Sequence, residues 1–299
     1  MNAKKNNLAR KLAGLLAESW IMKAAKNVHE RNADNWNLPV NEKILANMYC
    51  ILRDYGNGQF PPVYTDRQAV YESESKYIRN EVVDPRQEFD ATMRMPFELY
   101  VGNTNPGKLR NLVRLLAIVD RLKLEKGANV LEVGCGGGWL SEILCIKGFN
   151  VTATTLSQSD IELANLRSES LKVKKIDTTM RCIQSPMESV DKAVEDYGPY
   201  QMVVCHGALH HAFNWKESIS AFKACLARNG YLILCSEPSW QHTLICYRSS
   251  TMVGRHEIGF NGKELLRYIR KEGFRILKIK RTLMDTSFPY WIVAKLVSA

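Results

Sequence analysis

The chain has 299 residues, and 41 lysines and arginines against 31 aspartates and glutamates give it a net charge of +10 at pH 7. With 45% hydrophobic and 24% charged residues it has a globular composition, which excludes disordered, collagen-like and low-complexity proteins. No apolar run approaches the roughly 18 to 20 residues that a transmembrane helix needs, so we expect no membrane span.

The first part of the chain, residues 1–104, is irregular and rich in aromatic residues, and we expect a helical cap or lid. Apolar residues at helical spacing predict an amphipathic helix that packs through them, with a membrane-surface helix as the alternative: Leu12, Leu15, Leu16, Trp20 and Ile21. Two hypotheses stay open for this region: a lid formed by residues 64–100 and a homodimer interface.

The eight cysteines fall singly, mostly within apolar segments, and form no C-x-x-C pair. This usage argues against a zinc site and a disulfide framework, and it is typical of a reducing compartment. We therefore expect a cytoplasmic protein.

From residue 105 to residue 299, short apolar runs alternate with amphipathic helices, which predicts a second domain with a parallel sheet. The predicted strands are 129–133, 150–154, 180–184, 201–206, 231–235, 275–280 and 290–296. The expected fold class is α/β, with a doubly wound, mostly parallel, seven-stranded sheet and an N-terminal, mainly helical extension. In such sheets the ligand lies beyond the carboxyl ends of the strands, beside strand one.

Strand one runs into a glycine-rich turn, Gly134-Cys135-Gly136-Gly137-Gly138. Glycines permit positive φ and let a ligand approach the backbone. A dinucleotide fingerprint would need glycine at position 139, where the chain has Trp139, and the G-K-[ST] of a P-loop is absent. Neither phosphate-binding interpretation fits.

This turn, within VLEVGCGGG (residues 130–138), and the segment CHGALHH (residues 205–211) after strand four together resemble the class I S-adenosylmethionine-dependent methyltransferases. The resemblance covers residues 105–299 and implies the Rossmann-like methyltransferase fold. It is closest to the small-molecule branch, which includes ubiquinone-pathway O-methyltransferases and wobble-uridine tRNA carboxymethyl-group methyltransferases.

The resemblance implies S-adenosylmethionine as cofactor and assigns roles to matching positions. Glu132, near the ammonium group, and the turn would hold the methionine part. The residue that ends strand two is usually acidic and binds the ribose, but here it is Thr155, followed by Leu156 and Ser157. Cyclopropane fatty acid synthases also have Thr-Leu-Ser here and use a polar residue five positions after the Thr, which is Asp160 in this chain.

Each of these assignments has a plainer alternative. Asp160 also fits a helix capping box that never meets ligand. Met187 and Glu188 lie where the family cradles adenine, but they also fit a core residue and a solvated one. Gln201 departs from the aspartate common at the start of strand four.

Three of the six histidines, His206, His210 and His211, lie at the end of strand four or just after it, and they are the candidate catalytic residues. His211 matches a family histidine and is the candidate general base, with a purely structural role as the alternative. His210 replaces a glutamate of the family, and His206 ends the strand near the cofactor. A metal site on His206 and His210 would lack a carboxylate partner, so we expect no metal.

The segment after strand five, residues 240–256, is expected to form the opposite wall of the pocket. Tyr247, Arg248, Arg255 and His256 are the candidates there for contact with an anionic substrate. Basic residues also cluster at 108–126 and 263–281, but mostly on polar faces of amphipathic elements, so nucleic acid is the less favoured partner.

We expect transfer of a methyl group to an oxygen or nitrogen of a small, anionic substrate. RNA methylation and non-catalytic binding are the alternatives.

Overall fold

The computed structural model describes residues 2–33, 35, 38–60, 65–75, 106–255, 257, 259–281 and 289–297. The strands are β1 Asn129–Val133, β2 Asn150–Thr155, β3 Met180–Gln184, β4 Tyr200–His206, β5 Leu226–Glu237, β6 Phe274–Arg281 and β7 Tyr290–Leu296. The α-helices are α1 Asn2–Ala17, α2 Lys23–Arg31, α3 Val40–Gly56, α4 Arg67–Ser75, α5 Pro106–Leu122, α6 Trp139–Ile146, α7 Gln158–Val173, α8 Val190–Ala193, α9 Trp215–Cys225, α10 Thr243–Val253 and α11 Gly262–Lys271.

The seven strands form one sheet in the order β3-β2-β1-β4-β5-β7-β6. Strands β1 to β5 pair in parallel, whereas β7 is antiparallel to both of its neighbours. Two apolar clusters cover the two faces: Val203 and Leu234 belong to one, and the alternate residue Val204 belongs to the other with Leu140 of α6. Burial on both faces explains the continuous apolar runs of these strands. The predicted fold class is confirmed.

Strand β5 is longer than predicted. Its Leu226 pairs with Tyr200 of β4 ahead of a register shift, and at its other end Glu237 pairs with Tyr290 of β7. The first half of β5 could not be predicted from the sequence because Asn229, which has φ of 62°, and Gly230 are residues typical of turns. The extra residues at the far end place Glu237, which is fully buried, within the sheet.

Helix α1 packs differently from the prediction. It buries Ala13 and Ala17, while the apolar residues predicted to pack are between 41% and 84% exposed: Leu12, Leu15, Leu16, Trp20 and Ile21. The reason is the close approach of α1 to α3, since a Cβ on Gly56 would lie 2.7 Å from the Cα of Gly14. Small residues therefore form the contact, and the larger side chains point outward.

Helix α10 joins the N-terminal helices to the α/β domain. Tyr247 donates a hydrogen bond to Oδ2 of Asp54 at 2.9 Å, and the backbone N–H of Arg248 donates to Oδ1 of Asn47 at 2.6 Å. Tyr247 also belongs to the same apolar cluster as Ala17 and Tyr49. The segment after β5 thus packs against the cap.

None of the helices in the described ranges combines the length and apolar character needed to cross a bilayer.

Candidate active site

The turn after β1 has a conformation that requires glycine. Gly134, Gly136 and Gly138 have φ of 72°, 50° and 75°, values that L-residues rarely adopt. A Cβ on Gly134 would lie 2.4 Å from Cβ of Ala208, and one on Gly138 would lie 2.9 Å from Cβ of Ala164. At Gly136 nothing lies within 4 Å of such an atom. The turn therefore packs tightly on two sides and presents bare backbone on a third.

That backbone borders a cleft of about 250 Å³ at the carboxyl ends of the strands. The predicted site residues that line the cleft are Gly134, Gly136, Thr155, Leu156, Asp160, Met187, Glu188 and His211. The fold thus brings together residues from the ends of β1, β2, β3 and β4, as expected for a doubly wound sheet.

Other predicted residues lie behind the cleft. Gly137 accepts a hydrogen bond from Nε of Arg167 at 2.9 Å, and Gly138 is the N-cap of α6. The buried Cys135 has its Sγ 3.7 Å from Sγ of Cys182. His206 lies with its ring against those of Trp139 and Trp291, at centroid distances of 5.6 and 6.2 Å. These residues support the turn from within the protein.

Asp160 has both of the features predicted for it. Ser157 caps α7 by accepting from the backbone N–H of Asp160 at 3.4 Å. Asp160 is 5% exposed as a whole residue. Its carboxylate accepts a hydrogen bond from Oγ1 of Thr155 at 3.3 Å and lines the cleft. The cap uses the backbone of residue 160, whereas the Asp160 carboxylate lines the cleft.

Glu188 connects the sheet edge to the N-terminal region. Its carboxylate accepts hydrogen bonds from the hydroxyl of Tyr71 at 2.9 Å and from the backbone N–H of Asn214 at 2.8 Å. Burial and the Glu188 carboxylate together raise the pKa of Tyr71. Helix α4 therefore lies at the mouth of the cleft. The rest of the predicted lid, residue 64 and residues 76–100, lies outside the described residues.

His211 is paired with a carboxylate that sequence reasoning missed. Its Nδ1 lies 3.1 Å from Oε2 of Glu74 in α4, and both residues line the cleft. Burial alone would lower the pKa of His211, but Glu74, and at longer range Glu257 and Glu237, raise it above the usual value. No local sequence signal links Glu74 to His211, because the contact joins segments far apart in the chain.

Glu237 is a second missed residue. Its buried carboxylate accepts from the backbone N–H groups of Ala208, Leu209 and His210 at 3.0, 3.1 and 3.2 Å. It also lies 3.1 Å from Nδ1 of His210, which keeps that imidazole out of the cleft. Its position at the end of a strand was the one available signal.

The predicted contacts of Tyr247 and Arg248 with substrate are wrong, because both side chains are buried against the cap. The Arg248 guanidinium donates to the backbone oxygens of Asn32 and Asn35, and to Nδ1 of His29 at 3.0 Å. Arg255 is also buried, 4% exposed, and does not line the cleft. His256 lies outside the described residues.

Glu132 is enclosed beneath the turn, where Oγ of Ser141 donates to its carboxylate. Burial raises the pKa of Glu132 to about 8, although the hydrogen bonds from Ser141 oppose the rise. Its predicted role toward the cofactor stays a prediction, since the residue does not line the cleft.

The raised pKa predicts a pH dependence of stability. Between pH 4.5 and about 8 the folded protein retains a proton at Glu132 that the unfolded chain releases. This group should therefore lower the free energy of unfolding by about 1.4 kcal/mol per pH unit in that window. We expect Glu132→Gln to remove this slope, so that the variant gains stability relative to the wild type as pH rises. Urea unfolding at pH 5 and 7.5 measures the change.

The exposed Glu195→Gln is the matched control and should track the wild type at both pH values. A stability difference between Glu132→Gln and the wild type that stays constant with pH would contradict the assignment.

Known proteins share sequence and fold with this chain. Residues 106–279 match the family model described as a methyltransferase domain. Two curated relatives are both named ubiquinone biosynthesis O-methyltransferase. The protein from Xanthomonas euvesicatoria pv. vesicatoria is 35% identical over 133 residues, 44% of this chain and 52% of the relative. The protein from Vibrio parahaemolyticus is 31% identical over 126 residues, 42% of this chain and 49% of the relative. The chain thus spans about half the length of these relatives.

Among solved structures, magnesium protoporphyrin IX methyltransferase from Synechocystis PCC 6803 with bound S-adenosylhomocysteine has the same fold. It is 16% identical, with a TM-score of 0.55 over 75% of this chain and 100% of that chain. Because the family model matches more than half of the chain, this protein belongs to the class I S-adenosylmethionine-dependent methyltransferases.

Proposed function

We propose that this protein transfers a methyl group from S-adenosylmethionine to an oxygen of a small molecule, with nitrogen as the alternative acceptor atom. The observation that carries the proposal is one cleft lined by the bare backbone of Gly136, the carboxylate of Asp160 and the imidazole of His211. The names of the curated relatives support oxygen and a small acceptor.

The cofactor half of the cleft fits S-adenosylmethionine. Gly136 leaves open space where any other residue would place a side chain, and Asp160 offers a carboxylate for the ribose hydroxyls. Met187 adds apolar surface for adenine. When bound, the cofactor supplies an activated methyl group on a sulfonium centre, so the chain itself must position the acceptor, exclude water and take up a proton.

The half of the cleft that would hold the methyl acceptor also contains the group proposed to take up the proton, His211. Nδ1 of His211 lies 3.1 Å from Oε2 of Glu74, so a proton on Nδ1 would face this carboxylate and leave Nε2 as the basic nitrogen. This Nε2 would take the proton from a hydroxyl as the new bond forms. Glu74 acts through His211, as a positioning residue that stabilises the imidazolium.

The anionic character expected of the substrate has no support from Tyr247, Arg248 or Arg255, because these residues lie away from the cleft. The apolar surface of Ala208 and Ala212 instead favours an acceptor with a substantial apolar part.

The pairing of His211 and Glu74 predicts a distinctive pH profile. We expect His211→Asn to lower kcat by about 100-fold or more, within the range for loss of a general base, while it retains affinity for S-adenosylhomocysteine. Glu74→Gln removes the main carboxylate that raises the pKa of His211. Since the base must be deprotonated, the rise of kcat with pH should move to lower pH in Glu74→Gln.

The matched control for this profile is Glu72→Gln, an exposed position on the same helix. Steady-state methylation assays from pH 5.5 to 9 would show it overlaying the wild type. An unchanged profile in Glu74→Gln, or wild-type turnover in His211→Asn, removes the proton-acceptor role.

Asp160 predicts a selective loss of cofactor affinity. Asp160→Ala removes charge-assisted hydrogen bonds worth about 1.5 to 3 kcal/mol each, so the Kd for S-adenosylhomocysteine should rise by about 10- to 100-fold. The Ser157 cap should persist because it uses the backbone N–H of residue 160. Isothermal titration calorimetry measures the change, with the exposed Glu162→Gln on the same helix as control. Unaltered affinity in Asp160→Ala would show that its carboxylate only stabilises the protein.

The acceptor class is tested by incubating the protein with labelled S-adenosylmethionine and a cell extract, then separating small molecules from RNA. Label in small molecules supports the proposal, and label in RNA favours the nucleic-acid alternative. Binding of the cofactor without any labelled product favours a non-catalytic protein.

A further inference from the structure

Three side chains converge behind His211, outside the cleft. They are His210 in the loop after β4, His242 in the short 3-10 turn before α10, and Glu257 after α10. One nitrogen or carboxylate oxygen from each lies within 4.8 Å of both others. The ring centroids of His210 and His211 are 4.1 Å apart, so this cluster adjoins the acceptor side without lining the cleft.

The distances fit a small cation. In a tetrahedral zinc site with ligands at about 2.1 Å, two ligand atoms lie about 3.4 Å apart. Nε2 of His242 and Oε1 of Glu257 are 3.5 Å apart. The ring centroids of His210 and His242 are separated by 5.9 Å, with an angle of 82° between the planes. The other ligand atoms lie within 4.8 Å of one another, so these side chains would move closer together around a bound ion.

Glu237 provides the outer support that such a site needs. Its carboxylate is fully buried, is fixed by the backbone N–H groups of the loop, and lies 3.1 Å from Nδ1 of His210. Histidine ligands commonly donate one ring N–H to a carboxylate, which directs the other ring nitrogen at the metal. The arrangement of Glu237 and His210 matches this pattern.

An ion pair between His242 and Glu257 is the simpler explanation of the cluster. Burial alone would lower the pKa of His242, but Cys246 and Glu257 raise it to about 9. Burial would raise the pKa of Glu257. The hydrogen bond with His242, together with the charges of His211 and His210, instead lowers this pKa to about 2. Such a pair needs no third ligand, whereas a metal site needs His210 as well. The two explanations therefore differ in what they require of His210.

We propose that His210, His242 and Glu257 bind a divalent transition metal, with Zn²⁺ the ion best suited to two imidazole nitrogens and one carboxylate oxygen. The observations that support this site do not depend on the proposed methyl transfer. The sequence predicts no metal because the histidine loop has no carboxylate near it in the chain. The fold brings two carboxylates, those of Glu237 and Glu257, to His210 and its neighbours. Bound metal would tie the loop after β4 to the segment around α10.

The experiment uses the full chain, freed of affinity tags and treated with a chelator, then titrated with Zn²⁺ by calorimetry and with Co²⁺ by visible spectroscopy. We expect one equivalent to bind, with the absorption bands of tetrahedral Co²⁺. His210→Ala, His242→Ala and Glu257→Gln should each weaken Zn²⁺ binding by at least about 100-fold, more than the 10- to 100-fold cost of losing an outer hydrogen-bond partner.

Glu264→Gln, in an ion pair with Lys216 on the surface, is the control and should bind Zn²⁺ like the wild type. Retained affinity for S-adenosylhomocysteine and an unchanged circular dichroism spectrum establish that each variant is folded. Failure of the folded wild type to bind either ion, or wild-type Zn²⁺ affinity in folded His210→Ala, would overturn the proposal. The second result would assign the cluster to the ion pair alone.

Discussion

The carboxylate of Glu237 fixes the loop after β4, at the carboxyl-end edge of the sheet. It is fully buried at the end of β5, where an unpaired charge would be very costly. Three backbone N–H groups and the His210 imidazole surround it at 3.0 to 3.2 Å. Burial raises the pKa of Glu237, and the hydrogen bonds from Leu209 and Ala208 oppose that rise. The loop after β4 must therefore wrap around this group, and that fixes the directions of the side chains that follow.

Two adjacent histidines consequently face different partners. His210 is drawn inward to Glu237, whereas His211 borders the cleft and lies 3.1 Å from Glu74. Backbone hydrogen bonds from residues 208–210 to Glu237 hold the loop in this arrangement. The proposed proton acceptor and the proposed metal ligand are thus separated by one peptide bond and by the orientation that Glu237 imposes.

Features that local interactions determine could be predicted from the sequence, whereas features that depend on contacts between distant segments could not. The strands and the turn after β1 were predictable because apolar runs, and glycines such as Gly134 and Gly138, express local requirements. Glu74 and Glu237 were not, because each joins the candidate site only through contacts with a loop distant in the chain. The predicted packing face of helix α1 was wrong for a related reason. The approach of Gly14 to Gly56 decides which face packs, whereas periodicity alone favoured the larger residues.

The two halves of the cleft are also built differently. The proposed cofactor half comes from consecutive strand ends within residues 133–188, whereas the proposed acceptor half includes α4 from the N-terminal region. Polar contacts join α4 to the sheet side, including Tyr71 with Glu188, Arg67 with Glu217 and Glu74 with His211. Exposed ion pairs such as that of Arg67 contribute little to stability, so the buried contacts must hold α4 in place. Because Glu74 is the main group that raises the pKa of His211, the position of α4 also sets the basicity of that histidine. The position of α4 at the cleft and the proposed uptake of a proton by His211 therefore depend on the same contact.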